Sequence, residues 1–157
     1  MNDKIEIGKG IPDFTLESTN GVSFNLKDLQ GKVIVLYFYP RDNTAGCTTE
    51  ALEFKALKEA FEQNNTVIIG ISKDSLKSHH NFINKHELNF ELLSDPDRKI
   101  HETFDVLKLK KNYGKETLGT ERSTFIINQE GILVKAYRKV KAKGHAQEVL
   151  EFIKEHL

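Results

Sequence analysis

The 157-residue chain contains one cysteine, three prolines, one methionine and no tryptophan. A single cysteine cannot form an internal disulfide, so a secreted fold held together by disulfides is excluded. The 23 basic and 23 acidic side chains balance, so the overall charge does not indicate binding to nucleic acid or to an anionic membrane. No apolar run approaches the length of a bilayer span, and the first residues lack the apolar core of a signal peptide. These absences predict a cytoplasmic protein without a membrane segment.

The length and the absence of linkers or repeats predict one domain over residues 1–157. Residues 33–39 and 66–72 (VIVLYFY and TVIIGIS) are apolar at almost every position, which predicts two parallel strands buried on both faces. Residues 44–63 between them carry apolar side chains at helical spacing, namely Ala51, Phe54, Leu57 and Phe61. A strand, a helix and a strand in this order predict a right-handed crossover connection.

The remaining patterns continue the alternation of strands and helices. Two antiparallel hairpins are predicted, one at residues 14–26 around Asn20-Gly21 and one at residues 123–137. A short strand is predicted at residues 90–93, and a helix is predicted to open at residues 94–96, with Pro96 in its first turn. Two further helices are predicted from apolar spacing, one from Leu76, His80 and Ile83, the other from Ala146, Val149, Leu150, Ile153 and Leu157. The fold class is therefore α/β, a central mixed sheet with helices on both faces.

The only cysteine, Cys47, follows the strand predicted at residues 33–39 and lies where the next helix begins. In α/β sheets, ligands and chemistry collect at the carboxyl ends of strands. If Asn43 or Thr44 caps the helix, Cys47 lies in the first turn, where free backbone N–H groups and the helix dipole favour an anion such as a thiolate. Thr44 lies on nearly the same face, so its hydroxyl would reach the sulfur. The alternative is that Cys47 is only a small buried hydrophobe.

The spacing around Cys47 favours the reactive cysteine. Pro40-x-x-x-Thr44-x-x-Cys47, followed by Thr-Thr-Glu50, resembles the active-site motif of the peroxiredoxins, which are thiol peroxidases of thioredoxin-like fold. Further matches lie along the whole chain, at residues 12–14, 31–32, 37–40, 70–72, 93–96 and 122–125. Their order and spacing resemble the bacterioferritin-comigratory-protein branch, also called peroxiredoxin Q. The resemblance implies a thioredoxin-like three-layer sandwich with an N-terminal β-hairpin extension.

The resemblance also implies a role for each matching residue. Cys47 matches the peroxidatic cysteine, which attacks the peroxide O–O bond and becomes a sulfenic acid. Thr44 matches the hydroxyl that bridges thiolate and peroxide, Pro40 the residue that shields the sulfur from water, and Arg122 an arginine that enters the pocket from another strand. Displacement at oxygen needs an ionised nucleophile and donors that face the leaving oxygen. The backbone N–H of Gly46 is a candidate donor beside Thr44 and Arg122.

Two of the charged residues have alternative interpretations. Without the motif, Arg122 would be interpreted as half of a surface ion pair, for instance with Glu121. Glu50 lies in the first helical turns, where it either joins the hydrogen bonds of the site or compensates the helix dipole. The residues alone do not decide between the two roles of Glu50.

The sequence departs from the branch at two positions. Many members carry a resolving cysteine five residues after the first or on a later helix, whereas this chain has Leu52 there and no second cysteine. We therefore expect a one-cysteine enzyme whose sulfenic acid is reduced by an external thiol, from thioredoxin, glutaredoxin or glutathione. Ala45 replaces a proline that is common in the branch, but the chemistry does not use that side chain. The branch implies a monomer or a weak homodimer.

Two weaker signals come from histidine and lysine. The six histidines form no recognised metal-binding spacing, so we expect no metal and no cofactor, and we expect these side chains at the surface or at the edge of the core. The basic run at residues 108–115 (KLKKNYGK) predicts a solvated loop that borders the site or contacts a partner.

The leading functional hypothesis is a cytoplasmic thiol peroxidase that reduces hydrogen peroxide and organic hydroperoxides. A disulfide reductase of thioredoxin type is excluded because it requires a Cys-x-x-Cys pair. The alternative from another class is a peroxide sensor or holdase that acts on protein partners through oxidation of Cys47, since the same reactive thiol serves both functions.

Overall fold

The computed structural model describes residues 5–157. Its strands are β1 (Thr15–Ser18), β2 (Phe24–Asn25), β3 (Val33–Phe38), β4 (Thr66–Ser72), β5 (Glu91–Ser94), β6 (Leu107–Asn112), β7 (Lys115–Thr120), β8 (Ser123–Ile127) and β9 (Leu133–Tyr137). Its α-helices are α1 (Ala45–Gln63), α2 (Leu76–His86), α3 (Lys99–Thr103) and α4 (His145–His156), and a 3₁₀ helix spans Leu26–Leu29.

A mixed seven-stranded sheet with the strand order β2-β1-β5-β4-β3-β8-β9 organises the chain. β3, β4 and β5 run parallel to one another, as the apolar runs and the crossover helix predict. β8 is antiparallel to β3, and β9 is antiparallel to β8. The N-terminal hairpin joins the opposite edge, because β1 pairs with β5 as well as with β2. The predicted α/β class and mixed central sheet are confirmed.

Side chains of β3 alternate between two apolar clusters, one on each face of the sheet. Its odd-numbered residues pack in the cluster that α1, α2 and α4 complete. Its even-numbered residues pack in the second cluster, which the N-terminal segment, the 3₁₀ helix and the region around α3 complete. Every residue of β3 is therefore buried. Its polar backbone is satisfied by strands on both sides, which makes β3 a rigid support for the loop that follows it.

The start of α1 carries the cysteine. Thr44 is the N-cap residue, with an extended backbone, and the first helical hydrogen bond runs from the N–H of Thr48 to the carbonyl of Thr44 at 2.9 Å. The buried face of α1 consists of Cys47, Glu50, Ala51, Phe54 and Phe61. Ala51, Phe54 and Phe61 of the predicted apolar stripe are therefore buried, and Leu57 is half-buried. The packing of α1 on the sheet therefore fixes the direction in which Cys47 points.

Residues 108–115 form most of a β-hairpin and not the solvated loop that their charge predicts. β6 and β7 make a separate two-stranded sheet. Tyr113 and Gly114 form the tip, and both have positive φ (53° and 77°), as a tight two-residue hairpin turn requires. Leu109 and Leu118 remain 62% and 48% exposed. The prediction was wrong because this hairpin forms by strand pairing without burying an apolar face.

The prediction that a helix opens at residue 94 was also wrong, because α3 begins at Lys99. Pro96 lies in a turn that is closed by the hydrogen bond from the N–H of Arg98 to the carbonyl of Asp95 at 3.0 Å. Arg98 has a left-handed backbone (φ 62°), which separates this turn from the helix. The carboxylate of Asp95 then accepts the backbone N–H of His101 at 2.9 Å and so replaces a helical partner.

The other two helices occur where they are predicted, with small differences. On α2 the buried residues are His79 and Phe82, whereas His80 is exposed, so the buried face is shifted from the predicted one. On α4 the predicted stripe is buried except for Leu157, which ends the chain and is 44% exposed. Within residues 5–157, no helix combines the length and the apolarity that a membrane crossing needs.

Candidate active site

Cys47 lies in the first turn of α1, beside the carboxyl end of β3, and only 1% of its surface is exposed. On its inner side it belongs to the apolar cluster that contains Phe54. The first helical hydrogen bond is donated by Thr48, so the N–H groups of residues 45–47 are directed out of the helix end. The positive end of the helix dipole is therefore close to the sulfur. The predicted first-turn position is confirmed.

Arg122 brings a positive charge to the sulfur from a distant part of the chain. It directly precedes β8, whose first residue, Ser123, pairs with the last residue of β3. This register places Arg122 next to the loop that enters α1. Its Nη2 lies 3.5 Å from Cys47 Sγ, and its Nη1 donates a 2.7 Å hydrogen bond to Glu50 Oε1. The acidic partner of Arg122 is thus Glu50 and not Glu121.

Glu50 belongs to the site and does more than compensate the helix dipole. Its side chain is fully buried, while that of Arg122 is 15% exposed. Burial raises the pKa of Glu50 to about 7, although the positive charge of Arg122 opposes this rise. Glu50 Oε2 has no hydrogen-bond partner among the described residues, which leaves this oxygen free to hold the proton. Burial lowers the pKa of Arg122, but Glu50 and Cys47 outweigh it and the pKa is raised overall.

Gly46, Thr44 and Pro40 lie in the segment that leads from the end of β3 into the first turn of α1. A Cβ atom on Gly46 would lie only 3.0 Å from Arg122 Nη2. The absence of a side chain at Gly46 therefore leaves space for the guanidinium at the start of α1. The Thr44 hydroxyl donates to the carbonyl of Arg41 at 2.9 Å and not to the sulfur. The same oxygen can still accept a hydrogen bond from a peroxide, because a hydroxyl both donates and accepts. Pro40 is half-buried and lies two residues after the end of β3.

A second polar cluster lies behind the loop between β3 and α1. The buried Asp42 accepts hydrogen bonds from the Tyr39 hydroxyl at 2.6 Å and the Ser78 hydroxyl at 2.8 Å, and one of its oxygens lies 2.7 Å from His79 Nδ1. Ligand atoms of Asp42, Asp74 and His79 lie within 4.8 Å of one another, as in some metal sites. These atoms already take part in hydrogen bonds within the protein. The sequence did not predict this cluster. The only sequence feature that pointed to it was the position of Asp42 inside the Pro-x-x-x-Thr motif.

Three of the six histidines are more deeply buried than we expected. His79, His101 and His145 are all less than 5% exposed. Each is accommodated by a polar side chain from elsewhere in the chain, such as Asp95 at 2.7 Å from His101 Nδ1 and Thr124 at 2.7 Å from His145 Nε2. Burial also lowers the pKa of His145. The expectation was wrong for these three, because a histidine with a fixed hydrogen-bond partner can be buried like an apolar residue. His80 and His156 are exposed and His86 is half-buried, as expected.

Comparison with known proteins gives the family. The model of the AhpC/TSA family matches residues 7–136, which include Cys47 and Arg122. The chain belongs to the AhpC/TSA family. Peroxiredoxin Bcp of Bacillus subtilis is 52% identical to this peroxiredoxin over 151 residues, which are 96% of each chain. A putative peroxiredoxin bcp of Helicobacter pylori is also 52% identical, over 149 residues, which are 95% of this chain and 98% of the relative.

Solved structures agree with this result. A mutant of Xylella fastidiosa PrxQ has a TM-score of 0.92 and 42% identity, with 97% of each chain covered. The bacterioferritin comigratory protein of Xanthomonas campestris, studied for its alkyl peroxide reduction activity, has a TM-score of 0.88 and 46% identity, with 91% of each chain covered. The predicted thioredoxin-like fold and the predicted branch are confirmed. This peroxiredoxin is a thiol peroxidase.

The raised pKa of Glu50 predicts how its substitution changes the pH dependence of stability. Between its ordinary pKa of 4.5 and about 7, the folded protein binds more protons at this site than the unfolded chain does. The free energy of unfolding should therefore fall as the pH rises through this window. Glu50→Gln removes this titration. The free energy of unfolding of the variant, relative to that of the wild type, should therefore rise between pH 4.5 and pH 7. The expected rise is roughly 3 kcal/mol, at 1.36 kcal/mol per pKa unit.

Urea unfolding of the wild type and the variant at several pH values measures this difference. Glu59→Gln is the matched control, because Glu59 is exposed on the same helix. Its difference from the wild type should stay nearly constant with pH. A constant difference for Glu50→Gln as well would show that Glu50 keeps its ordinary pKa in the folded protein.

Proposed function

We propose that this peroxiredoxin reduces hydrogen peroxide and small organic hydroperoxides through a sulfenic acid on Cys47, which an external thiol then reduces. The proposal rests mainly on the 3.5 Å approach of Arg122 Nη2 to Cys47 Sγ at the start of α1. Alkyl peroxide reduction by the Xanthomonas relative supports organic hydroperoxides as substrates. We place the reaction in the cytoplasm, in a single domain of residues 1–157 that acts as a monomer or a weak homodimer.

In the oxidative step the Cys47 thiolate attacks one oxygen of the peroxide. A sulfur–oxygen bond forms, the O–O bond breaks, and the leaving oxygen takes a proton and departs as water or an alcohol. Cys47 is oxidised to the sulfenic acid and the peroxide is reduced. Arg122 and the N–H of Gly46 would stabilise the charge on the leaving oxygen, and the Thr44 oxygen would hold the peroxide in line with the sulfur. Pro40 would limit the access of water.

In the reductive step an external thiol condenses with the sulfenic acid, which gives a mixed disulfide and water. A second thiol then breaks this disulfide and restores Cys47. The chain itself contains no second thiol for this step. Because the Cys47 sulfur is 1% exposed, a bulky reductant reaches it only when the first turn of α1 opens. Thioredoxin, glutaredoxin and glutathione are the candidate sources of the thiol.

Replacement of the nucleophile tests the proposal most directly. Cys47→Ser should abolish peroxide reduction and leave the fold intact, because a serine hydroxyl is not ionised near neutral pH. Peroxide consumption is measured with the thioredoxin, glutaredoxin and glutathione systems in parallel, and circular dichroism checks the fold. Retained peroxidase activity in the variant would refute the role of Cys47. A single stoichiometric oxidation of the wild type with every reductant would favour the sensor or holdase function.

The proposed roles of Thr44 and Arg122 predict slower oxidation of Cys47 when either side chain is truncated. Arg122→Ala should lower the rate constant by about 10²–10³, by analogy with the loss of an oxyanion-hole donor. Thr44→Val keeps the volume, removes the hydroxyl and should also slow the reaction. Stopped-flow measurement with hydrogen peroxide gives these rate constants. Lys99→Ala removes an exposed charge on α3, which packs on the face of the sheet opposite to Cys47, and is the control. Wild-type rates for both site variants would contradict the roles assigned to them.

The opening of α1 can be tested by introducing a resolving cysteine. Leu52 and Cys47 both lie on α1, so their Cα atoms are about 8–9 Å apart along the helix, whereas a disulfide seldom spans more than about 7 Å. Leu52→Cys should therefore form an intramolecular disulfide after one equivalent of peroxide only if the first turn unwinds. With excess peroxide the wild type should proceed to the sulfinic acid more readily than the variant.

Intact-mass analysis after graded peroxide distinguishes these products. A disulfide removes two hydrogens, whereas each oxidation step adds one oxygen. Ala56→Cys places a thiol further along the same exposed side of α1 and should show only oxygen additions. If Leu52→Cys also shows only oxygen additions, the first turn does not open in the way that the reductive step requires.

A further inference from the structure

The loop that carries Pro40 and Thr44 is held from behind by one carboxylate. Asp42 is 5% exposed, and its two oxygens are contacted by the Tyr39 hydroxyl, the Ser78 hydroxyl and His79 Nδ1 at 2.6–2.8 Å. The backbone N–H of Asp42 donates to Asp74 Oδ2 at 2.9 Å. Both the side chain and the backbone of Asp42 are thus attached to elements outside the loop.

The hydrogen-bond partners of His79 determine which of its ring nitrogens carry a hydrogen. The ring is fully buried in α2, and its Nε2 lies 2.8 Å from the carbonyl oxygen of Leu93 at the end of β5. A carbonyl only accepts hydrogen bonds, so Nε2 carries a hydrogen. Nδ1 lies 2.7 Å from Asp42 Oδ2. A neutral ring with its hydrogen on Nε2 would direct a lone pair from Nδ1 at the carboxylate, and this arrangement needs a further proton between the two groups.

Both oxygens of Asp42 also accept hydrogen bonds from hydroxyl groups, Oδ1 from Tyr39 and Oδ2 from Ser78. The additional proton is therefore best placed on His79, as an imidazolium that donates to Asp42 on one side and to Leu93 on the other. A buried ion pair of this kind adds little net stability but fixes geometry, because each charge must keep its partner. The pair links the loop of residues 39–44 to α2 and to β5.

The loop contains one residue with a left-handed backbone. Asn43, between Asp42 and Thr44, has a φ of 63°, a conformation that asparagine adopts more readily than most residues other than glycine. Within the loop, the Thr44 hydroxyl donates a hydrogen bond to the backbone carbonyl of Arg41. The position of Thr44 relative to Cys47 then depends on how firmly Asp42 is held.

We propose that His79, as a buried imidazolium paired with Asp42, is a positioning residue for peroxide reduction, which holds residues 39–44 so that Pro40 and Thr44 face Cys47. The proposal rests on the proposed function in one respect, since it assumes that Thr44 and Pro40 act on the peroxide. Neither Asp42 nor His79 touches the reacting atoms, so their effect on the reaction is exerted through the loop.

Two substitutions of His79 separate its two hydrogen bonds. The amide nitrogen of asparagine can replace Nδ1, so His79→Asn keeps a donor to Asp42. The amide nitrogen of glutamine can replace Nε2, so His79→Gln keeps the donor to Leu93 and loses the one to Asp42. His79→Gln should lower the rate constant of Cys47 oxidation by hydrogen peroxide about 10–100-fold, as loss of an orienting partner typically does. His79→Asn should stay closer to the wild type.

Alkylation of Cys47 by iodoacetamide is the second readout, because this reagent needs the thiolate but makes no use of a peroxide site. Its rate should change little in either variant. His101→Asn and His101→Gln are the matched controls, since His101 is equally buried and paired with Asp95, but its ring packs on Phe38 in the cluster on the other face of the sheet and makes none of the described hydrogen bonds with residues 39–44. They should lower the melting temperature without slowing oxidation. Equal oxidation rates in His79→Asn and His79→Gln, or equal losses in oxidation and alkylation, would overturn the positioning role.

The protonation of His79 can be tested in the wild type, so that the proposal does not depend on a variant that folds. Nitrogen-15 NMR at neutral pH should show a directly bonded hydrogen on both ring nitrogens of His79. A hydrogen on Nε2 alone would overturn the imidazolium assignment. Cys47→Ser serves as the reference for the proposed function: if it retained peroxidase activity, the proposed function would fail while the NMR result for His79 would stand on its own.

Discussion

Arg122 and Glu50 meet where β8 begins and α1 completes its first turns, and their 2.7 Å ion pair connects the only cysteine to the central sheet. A guanidinium has rigid, planar donors, so a carboxylate on Nη1 determines where Nη2 is directed. Here Nη2 is directed at the sulfur. If either partner were lost, the other would be left as an uncompensated charge in a largely buried position, which is costly. The pair therefore orients the site, and its contribution to net stability is secondary.

The sheet supplies the precision that this ion pair needs. β3 lies between β4 and β8, and the pairing of the last residue of β3 with Ser123 sets the position of Arg122. On the same strand, the Tyr37 ring stacks on Phe54 of α1 with ring centroids 4.7 Å apart, so the helix is also fixed on the sheet. Behind the site, the Asp42 cluster attaches the intervening loop to α2 and β5. The ion pair and the packing of α1 on the sheet thus position the sulfur atom, and the Asp42 cluster holds the neighbouring loop.

Sequence patterns predicted the features that depend on local order and burial. The apolar runs of β3 and β4, the stripe on α1 and the position of Cys47 follow from residues close together in the chain. The β6–β7 hairpin was missed because strand pairing without burial leaves no apolar pattern at Leu109 and its neighbours. The partners of Glu50 and His79 were also missed, because they are 72 and 37 residues away in the sequence. The resemblance to a family identified Arg122 as a site residue but did not identify its carboxylate partner.

The nearly complete burial of Cys47 sets a limit on how stable the start of α1 can be. In the cycle that we propose, the external thiol reacts only with the fraction of molecules in which this turn is open, so its apparent affinity falls by the same fraction. Each additional 1.4 kcal/mol that stabilises the closed turn reduces the open fraction about tenfold. A tighter N-cap at Thr44, which makes no capping hydrogen bond in the described part of the chain, would give a more heat-resistant protein that spends longer in its oxidised form. The weakly capped helix end thus marks a compromise between thermal stability and the rate of recycling.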